Sequence, residues 1–250
     1  MTASSFCSFT RAAIPMLAYA DGSLFIPHER LLVFSDLHLE KGRAMAGHAP
    51  LPEMDTDTTL ADMQTAITRD NPDRVLFLGD SFHRSQMASS LPARHRTALH
   101  DMLSGREVIW ITGNHDPDLP DFLTGSVRHD LTLGSLIFRH EAEALPKALP
   151  EALSRALSRP LSRQGSVKTL EISGHYHPKI RLSTRARRIT GRCFMATSRR
   201  LIMPAFGAYA GGLYVDAPVL KAFHDDQMEI FFCHACRIYR YAYSQLKHNT

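Results

Sequence analysis

Five short apolar runs recur along the 250-residue chain, and each stops at a cluster of Asp, His or Asn. Residues 31–35 (LLVFS) lead into Asp36 and His38, residues 75–79 (VLFLG) into Asp80, and residues 107–112 (EVIWIT) into Gly113, Asn114, His115 and Asp116. Residues 135–138 (SLIF) lead to His140, and residues 170–173 (LEIS) to Gly174, His175, Tyr176 and His177. Runs this short, rich in Val, Ile, Leu and Phe and bounded by Gly and Asp, read as buried strands. Between the first three lie helical spacings. Leu60, Met63 and Ile67 follow a Thr56/Asp57 cap, while Leu91, Leu99, Met102 and Leu103 precede a terminating Gly105. Strand–helix–strand alternation predicts an α/β fold with a largely parallel sheet. Open α/β sheets place ligands at the carboxyl ends of their strands, so these polar clusters should converge on one edge.

Further along, residues 180–184, 193–197, 200–206 and 213–216 read as strands without intervening helices, a second and more antiparallel sheet packed on the first. The expected organisation is an N-terminal extension (1–27), one catalytic domain (28–218) and a C-terminal tail (219–250). Within the domain, residues 144–166 form a low-complexity insert, a tetrapeptide near-repeat with Leu at every fourth position from Leu145 to Leu161. A four-residue period drifts around a helix of 3.6 residues per turn, so a short basic helix near 150–159 is expected there. No apolar stretch approaches the ~18 residues of a membrane span, and the N-terminus lacks a secretory pattern. Four scattered cysteines make no disulfide framework. A cytoplasmic protein with no membrane partner is the expectation. Cys233, His234 and Cys236 are only half a zinc site.

The net charge of +4 conceals an asymmetry. From Ala144 to Val215 there are thirteen Lys and Arg against Glu151 and Glu171, so the rest of the chain is acidic. A basic segment of this kind suits either an anionic partner or a solvated face.

In a chain of this composition an Asp-x-His triplet arises by chance about 0.9 times, whereas Gly-Asn-His-Asp arises about 0.0006 times. The turn at 113–116 therefore carries weight that Asp36/His38 alone does not. Asp36, His38, Asp80, Asn114, His140, His175 and His177 offer carboxylate, amide and imidazole donors without a thiolate. Seven such ligands exceed one tetrahedral zinc but suit two divalent ions with open positions, Asp80 being the natural bridge. A pair of ions ~3.5–4 Å apart generates a nucleophile near neutral pH and clamps a phosphoryl group. His115 and Asp116 are the candidate catalytic residues, with His115 placed to donate to a phosphoryl oxygen or leaving group.

The series Asp-x-His, Gly-Asp, Gly-Asn-His-Asp, His and Gly-His-x-His resembles the calcineurin-like metallophosphoesterase superfamily. Residues 35–42 (SDLHLEKG), 79–83 (GDSFH), 113–116, 174–178 (GHYHP) and 204–213 (PAFGAYAGGL) are similar to its ligase-associated, PdeM-type branch. The resemblance spans roughly residues 30–216. It implies an αββα sandwich, two packed mixed sheets flanked by helices, and phosphodiesterase activity with two divalent ions, manganese first and iron, zinc or magnesium as substitutes. It also implies a nucleic-acid substrate and ligase and helicase partners in a DNA-repair cluster. Carried over, Asp36, His38 and His177 hold one ion with bridging Asp80, and Asn114, His140 and His175 hold the other.

Two departures narrow the substrate. Superfamily members acting on phosphoproteins carry an Asp three residues after the bridging Asp; here His83 and then Arg84 follow. UDP-diacylglucosamine hydrolases share the Ser-Asp-Leu-His-Leu opening but read Gly-Asn-Arg-Asp where this chain has His115. Candidate substrate contacts are Lys41, Arg43, His83, Arg187 and Arg188, the last two within a group that also holds Arg181, Arg185, Arg192, Arg199 and Arg200. Gly207, Gly211 and Gly212 read as turn residues. The competing functions are a small-nucleotide or UDP-sugar-lipid phosphodiesterase and a non-catalytic metal-binding scaffold in a repair complex.

Overall fold

A computed structural model describes residues 4–42, 54–83, 91–143, 169–183, 188–208 and 210–246. Arg43, Arg187 and the whole 144–166 insert, with the short helix expected near 150–159, lie outside the described residues. Two mixed sheets pack face to face. The first has seven strands in the order β1(Phe6–Arg11), β2(Ile14–Tyr19), β3(Leu24–Ile26), β4(Leu31–Phe34), β5(Arg74–Leu78), β6(Glu107–Ile111) and β7(Ser126–Arg128). Strands β4 to β7 run parallel, and β1 to β4 antiparallel. The second runs β15(Arg237–Ala242), β14(Glu229–His234), β12(Arg188–Ala196), β13(Arg200–Ile202), β10(Leu170–Ser173), β9(Leu136–Arg139) and β8(Asp130–Leu133), with β11(Lys179–Ser183) paired to β12 as a hairpin.

The apolar runs are continuous because both of their faces are covered. Along β4, β5 and β6, Leu31, Val33, Leu76, Leu78, Ile109 and Ile111 enter the core between the sheets. Their alternates Leu32, Phe34, Val75, Phe77, Val108 and Trp110 pack outward under two helices. These are α1(Asp55–Asp70), presenting Leu60, Met63 and Ile67, and α2(Ala93–Leu103), presenting Leu99, Met102 and Leu103. The second sheet contributes Phe138, Ile172, Phe194 and Phe231 to the central core. Its outer face is covered more thinly, by Leu220 of α3(Pro218–Lys221), Phe223 and Leu246 of α4(Tyr243–Leu246).

The domain boundaries differ from those read in the sequence. Residues 6–26, expected as an extension, supply three strands of the first sheet and bury Met16, Ala18, Leu24 and Ile26. The expected tail supplies β14 and β15, and β14 pairs with β12. The two ends also meet: Ile238 N–H donates to the Ser4 carbonyl (2.8 Å), and Arg11 donates to Glu229 (2.5 Å). Residues 213–216 are not a strand; only an isolated bridge joins Lys179 to Tyr214. Thr56, expected to cap α1, has another task, which its neighbour Asp55 shares. Thr56 Oγ1 accepts from Glu40 N–H (2.9 Å) and Asp55 accepts from Gly42 N–H (2.7 Å), tying the segment after His38 to the helix start.

Candidate metal centre

The strands β4, β5, β6, β9 and β10 deliver their following loops to one end of the two sheets. Two donor groups result: Asp36, His38 and His177, and Asp80, His140 and His175, with the ligating atoms of each within 4.8 Å of one another. In the first, His177 Nε2 lies 3.1 Å from Asp36 Oδ1 and 3.3 Å from His38 Nε2. In the second, His140 Nε2 lies 3.4 Å from Asp80 Oδ2 and 3.2 Å from His175 Nδ1. The same Asp80 Oδ2 is 3.9 Å from His38 Nε2, so one carboxylate oxygen faces both groups. Its other oxygen accepts the His115 N–H (2.9 Å). Three nitrogen or oxygen donors drawn together twice, with a carboxylate between them, fit two divalent cations.

The backbone that presents these donors is held in an uncommon conformation. Asp36 (φ 52°), His38 (45°), Asp80 (48°), His175 (66°) and His177 (46°) are all left-handed. Each such residue costs on the order of 1 kcal/mol and persists only where surrounding bonds fix it. Those bonds are present. Asp36, fully buried, accepts from the Ser35 hydroxyl and from His175 N–H (3.2 and 3.1 Å), so one ligand anchors the loop of another. His140 Nδ1 donates to the Leu78 carbonyl (3.0 Å), which fixes its tautomer and leaves Nε2 toward Asp80.

Charge divides the imidazoles. Burial raises the Asp36 carboxyl, but the hydrogen bond and charge of His177, with the charge of His140, outweigh it and hold it below the usual carboxylate range. Asp80 is likewise held down: burial opposes, while the hydrogen bond and charge of His140 and the His115 N–H prevail. Burial pushes His38 down to about 4 even against the pull of Asp36. Burial and then the charge on His140 lower His175. His140 goes the other way, to about 9, because its hydrogen bond to Asp80 and the two carboxylates overcome burial. Two ionised carboxylates and neutral His38 and His175 are protonation states that ligation requires, whereas His140 must lose a proton to bind.

The calcineurin-like phosphoesterase (Metallophos) family model matches residues 29–191. The chain belongs to that family. Among solved structures the chain is similar to the nuclease MPE of Pseudomonas putida, with a TM-score of 0.69 at 19% identity, covering 94% of this chain and 100% of the other. It is also similar to YfcE, a phosphoesterase from E. coli, with a TM-score of 0.43 at 15% identity, covering 85% and 98%. Among curated proteins, none matches this sequence. The chain is thus a metallophosphoesterase with two candidate metal sites, and none of its described helices is long and apolar enough to cross a membrane.

The phosphoesterase turn at 113–116 splits into three roles. Asn114 is exposed between two anchored neighbours, Gly113 and His115. His115 is also exposed, and its ring stands 5.3 Å from that of His38. Its Nδ1 donates to the backbone carbonyl of His83 (3.0 Å), so a main-chain oxygen takes the orienting place of the absent Asp. Asp116 does not reach the mouth. It is fully buried, and its two oxygens accept four backbone N–H groups: Gly113 (2.9 Å) and Asp80 (3.1 Å), then Ser81 (2.6 Å) and Phe82 (3.1 Å). Burial raises its carboxyl to about 6 despite those bonds. Asp116 thus ties together the backbone of the loops that carry Asp80 and Asn114.

His83 is half-buried, its ring 5.4 Å from that of His115. Lys41 is half-buried next to the first donor group, close enough for its charge to act on His38. Arg188 is exposed on the β11–β12 hairpin, which begins two residues after His177. The arginine group does not form one track. Arg181 and Arg188 share that hairpin's exposed face, but Arg192 donates to the Ala205 and Phe206 carbonyls (both 3.2 Å). Arg200 sits at the far end of the parallel strands, donating to the Glu143 carbonyl (2.8 Å) and lying over Phe223. Cys233 is a core residue, its thiol pushed up to about 12 by burial.

Sequence reasoning missed Ser35 and Glu40. Glu40 is buried with φ 65°, and its carboxylate lies 3.4 Å from Nδ1 of buried His95, whose Nε2 meets Asp57 at 2.7 Å. Only its place in the run after His38 hinted at a role.

Proposed function

We propose that this chain hydrolyses phosphodiester bonds in nucleic acid with two divalent ions, manganese foremost, and that it is a cytoplasmic DNA-repair nuclease of the ligase-associated branch. The observation that carries the chemistry is Asp80 Oδ2 standing between two complete donor groups. Bound there, the ions supply a nucleophile at neutral pH and neutralise charge on the phosphoryl group. The chain's own part is positional. Asp36 and Asp80 stay ionised, the carbonyls of Leu78 and His83 fix the tautomers of His140 and His115, and His115 keeps Nε2 for a phosphoryl or leaving-group oxygen.

The nucleic-acid half of the reading rests on the cationic hairpin rather than on likeness to the nuclease. Lys179 and Arg181 flank Tyr214, each 4.8 Å from its ring centre, immediately after His177, and Arg188 extends the same face. Such a face gives sequence-independent affinity for a phosphate backbone. The test is turnover of bis(p-nitrophenyl) phosphate with manganese, followed by rates on single-stranded DNA and on small diesters. Turnover should appear with manganese, fall at least about 100-fold in Asp80→Asn, and favour DNA. Silence across manganese, iron, zinc and magnesium, or undiminished activity in Asp80→Asn, overturns the enzyme. A preference for small diesters overturns the substrate.

A further inference from the structure

The segment 204–213 carries no candidate ligand, yet it grips both loops of the first donor group. Phe206 N–H donates to the Ser35 carbonyl (2.8 Å) and Gly207 N–H to the Asp36 carbonyl (3.2 Å). At its other end Leu213 N–H donates to the carbonyl of Tyr176 (3.1 Å), the residue before His177. Its middle is pinned to α1, where Ala208 N–H donates to the Thr59 hydroxyl (3.3 Å), and to the hairpin through Arg192. The Phe206 ring stands edge-on against Phe34, 4.8 Å away, at the end of the strand that delivers Asp36.

Two glycines show how tight the grip is. A Cβ on Gly207 would lie 2.0 Å from the carbonyl oxygen of Leu37, the residue between Asp36 and His38. A Cβ on Gly212 would lie 2.1 Å from the carbonyl oxygen of His177. Neither glycine has a positive φ, so the need is for room rather than for an unusual conformation. Gly211 between them meets nothing within 4 Å. Asp80 and His140 take further contacts from Asp116, His115 and Leu78, and join the first group through the His38 N–H, which donates to the Asp80 carbonyl (2.9 Å).

We propose that residues 204–208 and 210–213 form a strap that sets the first donor group, with Gly207 and Gly212 as positioning residues for the divalent cation held by Asp36, His38 and His177. This rests on the two-ion reading and adds that the first ion depends on the strap directly, the second only through the bonds that couple the two loops. Replacing either glycine by Ala forces the strap away from a backbone carbonyl that cannot yield, displacing a ligand of the first group and leaving the second in place.

The experiment is manganese binding by the full chain, followed by equilibrium dialysis and by electron paramagnetic resonance, with folding checked by circular dichroism. The wild type and Gly211→Ala should bind two ions and show an exchange-coupled pair. Gly207→Ala and Gly212→Ala should keep one ion with an uncoupled spectrum, the lost ion binding at least about 10-fold more weakly. The residual spectrum should match that of His38→Ala. Thr59→Val, which releases the strap from α1 while sparing the glycines, should weaken one ion only. A coupled pair at wild-type affinity in the folded glycine variants overturns the strap, and so does equal loss of both ions. If the glycine variants do not fold, unchanged binding in Thr59→Val overturns it. A wild type that never binds a pair overturns the two-ion reading itself, a result distinguishable from failure of the strap alone.

Discussion

Replacing Asp116 by Asn separates a positioning carboxylate from a reacting one. Asn keeps the shape but exchanges one oxygen for an NH2 group, which cannot accept. Because each Asp116 oxygen takes two backbone N–H groups, either orientation of the amide abandons two buried donors, Gly113 and Asp80 or Ser81 and Phe82. A buried donor left unpaired costs about 1–3 kcal/mol. Removing a buried charge returns part of that loss, so a net destabilisation of about 2–4 kcal/mol is expected, out of a typical ~5–15 kcal/mol for a domain. The loosened loops carry Asp80 and Asn114, so manganese affinity should fall about 10–100-fold. Urea denaturation of the metal-free chain reads the first effect, a manganese titration the second, and turnover at saturating manganese should be largely restored. Wild-type stability and manganese affinity with turnover abolished would refute the reasoning and place Asp116 at the reacting atoms.

His115→Ala should keep both ions and the fold but lower kcat about 10²–10⁴-fold; a change confined to KM would remove His115 from the chemistry. Glu229 is held below its usual carboxylate range: burial opposes, while hydrogen bonds and charge from Arg240 and Arg11 prevail. A depressed carboxyl contributes stability above its unfolded pKa and loses it as pH falls through the folded value. Glu229→Gln should therefore cost about 1–2 kcal/mol at pH 7, with the gap to wild type closing below about pH 4; an equal gap at pH 3.5 and pH 7 counts against the pairing. Arg181→Ala with Arg188→Ala should weaken single-stranded DNA binding and flatten its salt slope by about 1–2 without altering bis(p-nitrophenyl) phosphate turnover, whereas an unchanged slope would leave those arginines merely solvated.

The six residues of the two donor groups were legible because each sits shortly after a run that reads as a covered strand, and parallel strands bring such positions to one end. What the sequence hid was whatever acts through the backbone. Asp116 satisfies four main-chain donors, and the His83 carbonyl orients His115; neither relation has a spacing or residue preference to read. Thr56 looked like part of a helix cap because capping and loop-holding use the same side chains. The N-terminal strands escaped notice because β1 faces solvent along much of its length, burying only Phe9, which packs on Phe231 at 4.8 Å. Phe231 is too distant in sequence from Phe9 for local pattern to disclose the contact. The arginines scattered because the turn after Ala196 carries Arg200 to the opposite end of the sheet from His177.

The tie between β1 and β14 bears on the order of assembly. The Arg11–Glu229 pair closes a loop of 218 residues, so β1 can zip onto β2 early but makes this contact only once β14 has been made. A nascent chain translated only as far as Ala196 has β1 paired with β2 but leaves the edge of β12 bare, an invitation to pair with neighbouring polypeptides. Closure of the second sheet therefore waits for β14, slow in proportion to the span it must gather, and it is over that interval that the molecule is most exposed to aggregation.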